Sequence, residues 1–172
     1  MKKQLYARLY RLILNLWPCM RASGGRVTHL SGDFTLATVR LPLNWRTRNA
    51  VGTIFGGSMF SAADPMFMLM LREILGKDYV VWDKGATARF KRPARVTLLA
   101  DFNITPEMLA GLRGLLDGRN EAVFTWTVAY KDRQGTVYAE FDRVMYVATK
   151  TFYEAKLANR AARQELPVES RG

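Results

Sequence analysis

Hydrophobic and polar positions along the chain predict an α+β fold that begins with a helix. Five apolar side chains near the start recur at helical spacing, namely Leu5, Leu9, Leu12, Ile13 and Leu16. Residues 26–30 and 34–41 instead alternate, and the Ser-Gly-Asp sequence between them is typical of a turn. We therefore expect an amphipathic helix followed by a β-hairpin.

The apolar side chains from Ser58 to Leu75 leave almost no polar stripe along a helix. A helix that is apolar on every side must be buried on every side. We therefore expect a long central helix wrapped by a curved, mostly antiparallel sheet, with Gly76 as its left-handed cap. Because a single sheet cannot cover such a helix completely, the pattern also predicts a homodimer or homotetramer.

Strand-like patterns dominate the rest of the chain. Residues 79–93 suit one bent strand or two, and residues 96–104 alternate cleanly. Two further strands are predicted at residues 122–130 and 137–149. After the strand at residues 96–104, Thr105-Pro106-Glu107 predicts the capped start of a short inserted helix.

The predicted organisation is a single domain with a helical segment at each end. A length of 172 residues suits one domain. We expect an N-terminal amphipathic helix over residues 1–24, the main domain over residues 25–149 and a helical tail over residues 150–172.

Composition narrows the available chemistry. The chain has one cysteine, Cys19, and one histidine, His29. These numbers exclude an intrachain disulfide framework and argue against a metal site, so we expect no metal. What remains is chemistry carried out by carboxylates, amides, hydroxyls and backbone groups.

Positive charge is concentrated in two blocks that contain no acid. The net charge is +11, and residues 1–26 hold six of the basic side chains. The second block comprises Lys84, Arg89, Lys91, Arg92 and Arg95. Such blocks attract phosphorylated small molecules, acidic membrane surfaces or nucleic acid, although a solvated basic face has the same composition. The chain lacks a nucleic-acid recognition motif, so we disfavour that partner.

The N-terminal helix has two open interpretations. Its apolar face could dock on the domain or on a partner, or it could lie on an anionic membrane surface as a peripheral contact. No segment approaches the roughly 18 uninterrupted apolar residues of a membrane span. No secretion-type cleavage site follows Trp17. The sequence therefore predicts a cytoplasmic protein.

The segment from Asn49 to Asp64 carries the candidate chemistry. Gly56 and Gly57 lead into the central helix, where free N–H groups and the helix dipole can hold a developing oxyanion. Asp64 lies among apolar residues, and desolvation raises the pKa of a carboxyl group that serves as a base or nucleophile. Asn49 offers an amide that can orient water or a carbonyl.

Each of these residues also has a purely structural interpretation. The glycine pair can be a loop that enters a helix, and Asn49 can be an ordinary turn residue. Asp64 precedes Pro65 and can cap a restarted helix. Local sequence does not decide between these alternatives.

The order of these residues resembles that of the hotdog-fold acyl-CoA thioesterases of the phenylacetate type. Those enzymes carry Asn, then His-Gly-Gly, then Asp at the spacing of Asn49, Gly56, Gly57 and Asp64. Residues 90–93, Phe-Lys-Arg-Pro, resemble the Phe-x-x-Pro that ends the strand after the central helix. The resemblance covers residues 26–149 and is closer still to a thioesterase-like branch known as a domain of unknown function.

The resemblance implies a hotdog fold and hydrolysis of an acyl-CoA or acyl-carrier thioester, with no cofactor. The Gly57 N–H would polarise the thioester carbonyl, and Asp64 would activate water or attack directly. Asn49 would help to place the reacting group, often from the other subunit. Phe55 and Gly56 would adjoin the acyl group, and the basic block at residues 84–95 would hold the coenzyme A phosphates.

The sequence departs from the family at Phe55, which stands where the family has histidine. A hydrogen-bonding group near the acyl site is therefore missing. A non-catalytic protein of the same fold that binds acyl chains or lipids remains the alternative.

Overall fold

The computed structural model describes residues 2–165 and shows an α+β chain. The helices are α1 (Lys2–Leu16), α2 (Pro18–Ser23), α3 (Gly56–Ala63), α4 (Met66–Leu75), α5 (Pro106–Leu116) and α6 (Lys150–Glu165). The strands are β1 (Arg26–Leu30), β2 (Leu36–Leu41), β3 (Tyr79–Phe90), β4 (Leu98–Asn103), β5 (Glu121–Lys131) and β6 (Val137–Thr149). The part of the predicted tail beyond Glu165 lies outside the described residues.

All six strands form one antiparallel sheet in the order β1-β2-β4-β5-β6-β3. The three longest strands, β5, β6 and β3, lie side by side, and β3 is an edge strand. The sheet curves around α3 and α4, which confirms the predicted hotdog fold. The predicted cap of the inserted helix is also confirmed, because Thr105 Oγ1 accepts a hydrogen bond from the Met108 amide at 3.2 Å.

The central helix is two helices rather than the single one predicted. α3 ends at Ala63 and α4 starts at Met66, with Asp64 and Pro65 between them in right-handed helical conformation. Proline has no N–H to donate, which interrupts the helical hydrogen bonds at this point. The ladder resumes where the Leu69 amide donates to Pro65.

One chain covers most of the central helices by itself. Their buried residues face the sheet, and the Tyr130 hydroxyl, fully buried on β5, donates to the carbonyl of Met59 at 3.0 Å. On another side, α2 packs against α3. The sheet and α2 together therefore bury most of the apolar side chains of α3 and α4, and the predicted oligomer stays a prediction.

The N-terminal helix α1 seals the edge of the sheet at β1. The Asn15 side chain donates to the carbonyl of Val27 at 2.9 Å and accepts from its amide at 2.8 Å. Arg11 donates to the carbonyl of Thr28. These side chains occupy backbone groups that an edge strand otherwise leaves open to another chain.

The same contacts determine which side of α1 faces the domain. Ala7 and Leu14 are buried, and the ring of Tyr10 packs edge-on against Phe34. The predicted apolar face points away from the domain. Its members Leu5, Leu9, Leu12, Ile13 and Leu16 are between 43% and 69% exposed. The interpretation that this face docks on the domain is therefore wrong. Within residues 2–165, no helix is long and apolar enough to cross a bilayer.

Replacing Asn15 with alanine should lower the free energy of unfolding by about 1–3 kcal/mol, because the Val27 amide and carbonyl lose their partners. Chemical denaturation measures this loss. Gln4→Ala is the matched control, since Gln4 is an exposed carboxamide on the same helix. Equal stability of the two variants would show that the Asn15 contact does not hold α1 in place.

Candidate active site

A groove of about 620 Å³ opens along α3 and contains two of the three predicted catalytic residues, Gly57 and Asp64, but not Asn49. One face of α3 forms its floor, through residues that follow one another at spacings of three and four. These residues are Gly57, Phe60, Ser61 and Asp64. The opposite wall includes Cys19 and Ser23 from α2, and Arg46 and Phe55 line the rim. The N-terminal segment, which lies outside the family resemblance, therefore helps to form the groove.

The start of α3 presents free backbone donors. Gly56 and Gly57 are its first two residues, and neither N–H has an acceptor among residues 2–165. At both positions a larger side chain would displace a neighbouring aromatic ring. A Cβ on Gly56 would lie 2.8 Å from the Phe90 ring, and one on Gly57 would lie 2.2 Å from the Phe55 ring. The two aromatic rings therefore lie against the backbone that would bind an oxyanion.

Asp64 is held by an ion pair that sequence analysis did not foresee. Its Oδ1 lies 2.5 Å from Nη2 of Arg143, a side chain that is only 2% exposed. The Asp64 side chain itself is 51% exposed. The expectation of a desolvated carboxylate among apolar residues is therefore wrong, because the side chain points out of the helix core toward β6 and solvent.

The capping alternative for Asp64 is also wrong. No side chain caps α4, and the Asp64 carboxylate bonds to Arg143 rather than to a backbone amide of the following turn. The same Arg143 nitrogen also donates to the Asp64 carbonyl at 3.2 Å. Arg143 thus grips both the side chain and the backbone at the junction of α3 and α4.

Arg143 faces a second carboxylate, Asp83 on β3. Asp83 Oδ1 lies 3.1 Å from Arg143 Nη2, and burial raises the pKa of Asp83 while Arg143 opposes that rise. The Phe60 ring lies 5.5 Å from the guanidinium carbon. Nε and Nη1 of Arg143 are buried without a hydrogen-bond partner among the described residues. The arginine therefore retains donor capacity close to the groove.

The sequence did contain a signal for Arg143. Inward positions of β6 alternate, and Ala139, Phe141, Met145 and Val147 are buried on the same face of the strand. Arg143 occupies the middle of this apolar series. A charged residue on an inward stripe requires a buried partner, which is the observation that sequence analysis missed.

Asn49 is engaged within its own loop. Its side-chain oxygen accepts from the amides of Val51 and Thr53, and its nitrogen donates to the Thr53 hydroxyl at 2.9 Å. Between this loop and α3, the Ile54 amide donates to the carbonyl of Ala94, which ties the chain to the segment after β3. In a single chain Asn49 therefore acts as a turn residue beside the site.

Folding neutralises part of the basic block. Arg89 pairs with Asp142 and Glu140, and Lys91 pairs with Glu140 at 2.6 Å. Arg89 holds the pKa of Asp142 down to about 2. These pairs correct the picture of a block without acid, because β6 supplies carboxylates from about fifty residues farther along the chain.

The remaining basic residues of the block, Lys84, Arg92 and Arg95, lie in three different surroundings. Lys84 lines a different groove with Arg119, Glu121 and Lys156, so the structure does not bring it to α3. Arg95 lies close to the loop that carries Asn49, with Nη1 3.3 Å from a Cβ built on Gly52. Arg92 lies over the Tyr138 ring. Within residues 2–165, no group of histidine, cysteine and carboxylate side chains is arranged to hold a metal ion.

Replacing Arg143 with glutamine should destabilise the fold by about 2 kcal/mol or more, because Asp64 and Asp83 lose their buried counter-charge. Urea unfolding of both proteins measures the loss. Asp83 has a raised pKa when folded, so its ionisation opposes folding as the pH rises through the carboxyl range. Without Arg143, the pKa of Asp83 rises further and its ionisation opposes folding more strongly. The stability deficit of Arg143→Gln should therefore shrink when the pH is lowered to the ordinary carboxyl pKa, where Asp83 becomes protonated.

Arg89→Gln is the control for this variant. It breaks an exposed pair between the same two strands, and exposed pairs contribute little to stability. A deficit as small as that of Arg89→Gln, or one independent of pH, would contradict the buried counter-charge role of Arg143.

Solved structures confirm the fold at low sequence identity. A Pseudomonas aeruginosa protein of unknown function, titled a "probable thioesterase", has a TM-score of 0.70 and 22% identity over 83% of this chain and 95% of that chain. The thioesterase HI1161 from Haemophilus influenzae has a TM-score of 0.62 and 16% identity over 83% and 90% of the two chains. Identities this low show a common fold.

The third comparison concerns the family named from sequence. The E. coli PaaI protein from the phenylacetic acid degradation operon has a TM-score of 0.55 and 16% identity, over 86% of this chain and 94% of that chain. No curated protein matches this sequence. A family profile matches residues 6–147 and so covers most of α1, all of α2 and nearly the whole sheet. The chain belongs to the family described as Domain of unknown function (DUF4442).

Proposed function

We propose that this protein hydrolyses the thioester of an acyl-CoA or of an acyl group on a carrier. One observation carries the proposal: a single groove contains both the unoccupied N–H of Gly57 and the carboxylate of Asp64. An oxyanion donor and a carboxylate are the two groups that water-mediated acyl transfer needs. The thioesterase titles of two structural neighbours are consistent with this chemistry.

Each group has a defined role in the proposed reaction. The thioester carbonyl oxygen accepts from the Gly57 N–H, which stabilises the negative charge that develops as water attacks. Asp64 takes a proton from that water, the C–S bond breaks, and the thiolate leaves and is protonated. Arg143 fixes the direction of the Asp64 carboxylate and is a positioning residue.

Spacing along α3 supports a site completed by a second copy. Gly57 and Asp64 are seven residues apart, which corresponds to about 10 Å along a helix axis. A carbonyl that accepts from the Gly57 N–H of one chain is therefore poorly placed for a water held by Asp64 of that same chain. In a homodimer or homotetramer, Gly57 of one copy can instead meet Asp64 of the other. The open edge of β3, twelve residues long, offers a surface for that association.

Arg92 and Arg95 are the residues that we propose for the phosphates of coenzyme A. They follow the end of β3 and lie outside the ion pairs that occupy Arg89 and Lys91. Arg95 also adjoins Gly52, in the loop before α3. We place the reaction in the cytoplasm, since the exposed free Cys19 suits a reducing compartment.

A non-catalytic acyl or lipid binder is the second candidate, and Phe55 favours it. The ring lies against Gly57 and is 56% exposed. It presents apolar surface at the position where the phenylacetate-type thioesterases have a hydrogen-bonding histidine. Such a ring can hold an acyl chain without contributing to hydrolysis. The two candidates differ in turnover and agree in ligand binding.

Asp64→Asn should reduce acyl-CoA turnover by about 100-fold or more, because it removes the general base. The asparagine oxygen can still accept from Arg143, so most of the fold should remain. Free-thiol release from a panel of acyl-CoAs measures turnover, and thermal unfolding of the same samples measures stability.

Asp142→Asn is the matched control. It makes the same change in another aspartate–arginine pair, that of Asp142 with Arg89, and leaves the groove intact. Normal turnover in Asp64→Asn would exclude Asp64 as the base. Saturable acyl-CoA binding without turnover in the unmodified protein would establish the binder instead.

Reversing the charges of Arg92 and Arg95 to glutamate should weaken coenzyme A binding by at least about tenfold, because contacts between charged groups contribute about 1.5–3 kcal/mol each. Isothermal titration with coenzyme A measures the affinity. The control reverses Arg113 and Arg119, which are exposed on and after the inserted helix. An equal loss in both double variants would mean that only the net charge matters.

A further inference from the structure

The exposed face of α1 has no function in the fold. Five large apolar side chains form it, and Leu5 and Leu16, near its two ends, are 69% and 59% exposed. Trp17 follows the helix and is also exposed. A contiguous apolar face of this kind marks an interaction surface rather than scattered surface leucines.

The helix cannot rotate to bury this face against its own domain. Ala7 and Leu14 already occupy the buried side, which lies across the helix axis from the leucines. The Asn15 and Arg11 bonds to β1 fix the third side. Turning the leucines inward would expose the buried residues and break these bonds, so nothing within residues 2–165 can cover the face.

Charge indicates which occupant the face suits. Residues 2–32 contain no aspartate or glutamate and six basic residues. Lys2 lies on the apolar face at helical spacing from Leu5 and Leu9, and the exposed Arg8 lies on its flank. One carboxylate from elsewhere in the chain, that of Glu73, contacts α1, where it accepts from the Tyr6 hydroxyl at the margin of the face. An apolar face with a cationic margin complements a surface that is apolar beneath and anionic above.

We propose that α1 lies flat on an anionic lipid bilayer, with its leucine face inserted at the level of the acyl chains. Lys2 and Arg8 then meet the phosphates of the headgroups, and Trp17 occupies the interface that tryptophan prefers. A second copy of this chain fits the face less well, because a symmetric contact would bring the same cations together. The proposal is independent of thioester hydrolysis.

The arrangement of the domain suits this placement. α1 spans about 22 Å, and its inner side is anchored to β1, so the apolar side can enter a membrane while the sheet stays outside. α2 follows directly and lines the groove through Cys19 and Ser23. A bilayer under α1 would therefore lie close to one wall of the groove.

The test is co-flotation of the full chain with phosphatidylcholine vesicles, with and without phosphatidylglycerol. We expect binding that is at least about tenfold stronger to the anionic vesicles and that falls when salt rises from about 0.1 M to about 1 M, because the Debye length shortens from about 10 Å to about 3 Å. Absence of binding, or equal binding to neutral vesicles, would overturn the proposal.

Leu9→Gln/Leu12→Gln should weaken anionic vesicle binding by about tenfold or more, since both side chains lose their insertion into lipid. Leu115→Gln/Leu157→Gln, two leucines of similar exposure on other helices, should bind as the unmodified chain does. Unchanged binding by the first pair would overturn the proposal. If the unmodified chain binds no vesicles, and Leu9→Gln/Leu12→Gln has a smaller mass in light scattering than the unmodified chain, the face would instead be assigned to a second copy.

Lys2→Glu/Arg8→Glu is a variant that leaves the leucines in place. It should lose its preference for anionic vesicles while its thermal unfolding stays unchanged, because both side chains are exposed. This variant decides the electrostatic part of the proposal even where the leucine substitutions alter folding. Retention of the anionic preference would contradict it.

Discussion

The buried guanidinium of Arg143 is the interaction on which the geometry of the site depends. It projects inward from β6 and meets carboxylates from two other elements, Asp64 at the end of α3 and Asp83 on β3. A buried charge without partners is costly, so these three elements must stay together as long as the arginine is inside. The chain therefore specifies the position of Asp64 through the core of the sheet, and any movement of β3 or β6 reaches the groove through this contact.

The opposite edge of the sheet is organised by a second polar contact. Asn15 occupies the open edge of β1, whereas β3 remains open along its length. One edge of the sheet is thus protected by the chain itself and the other is available to a second copy. The same contact turns the leucines of α1 outward. Edge protection and the exposed apolar face are therefore two consequences of one side chain.

Periodicity predicted the elements well because it reflects local burial. The strands β4 and β6, the inserted helix and its Thr105 cap follow directly from alternation and from short-range capping. The surroundings of Asp64 could not be predicted in this way, since its partner Arg143 is 79 residues away. Likewise α1 has apolar residues on two sides, and long-range contacts such as the hydrogen bonds of Asn15 and Arg11 to β1 determine which side is buried.

The division of the groove connects assembly with chemistry. Gly57 and Asp64 lie on one face of α3 but about 10 Å apart along its axis. Under the proposed function, this spacing would let a single chain bind an acyl group but would leave its carbonyl poorly placed for a water held by Asp64 of that chain. Phe55, whose ring lies against Gly57, would present an apolar surface to the acyl group at that end of the groove. The proposed reaction would then depend on which groups a second copy brings opposite each end, and the edge of β3 is the surface proposed for that contact.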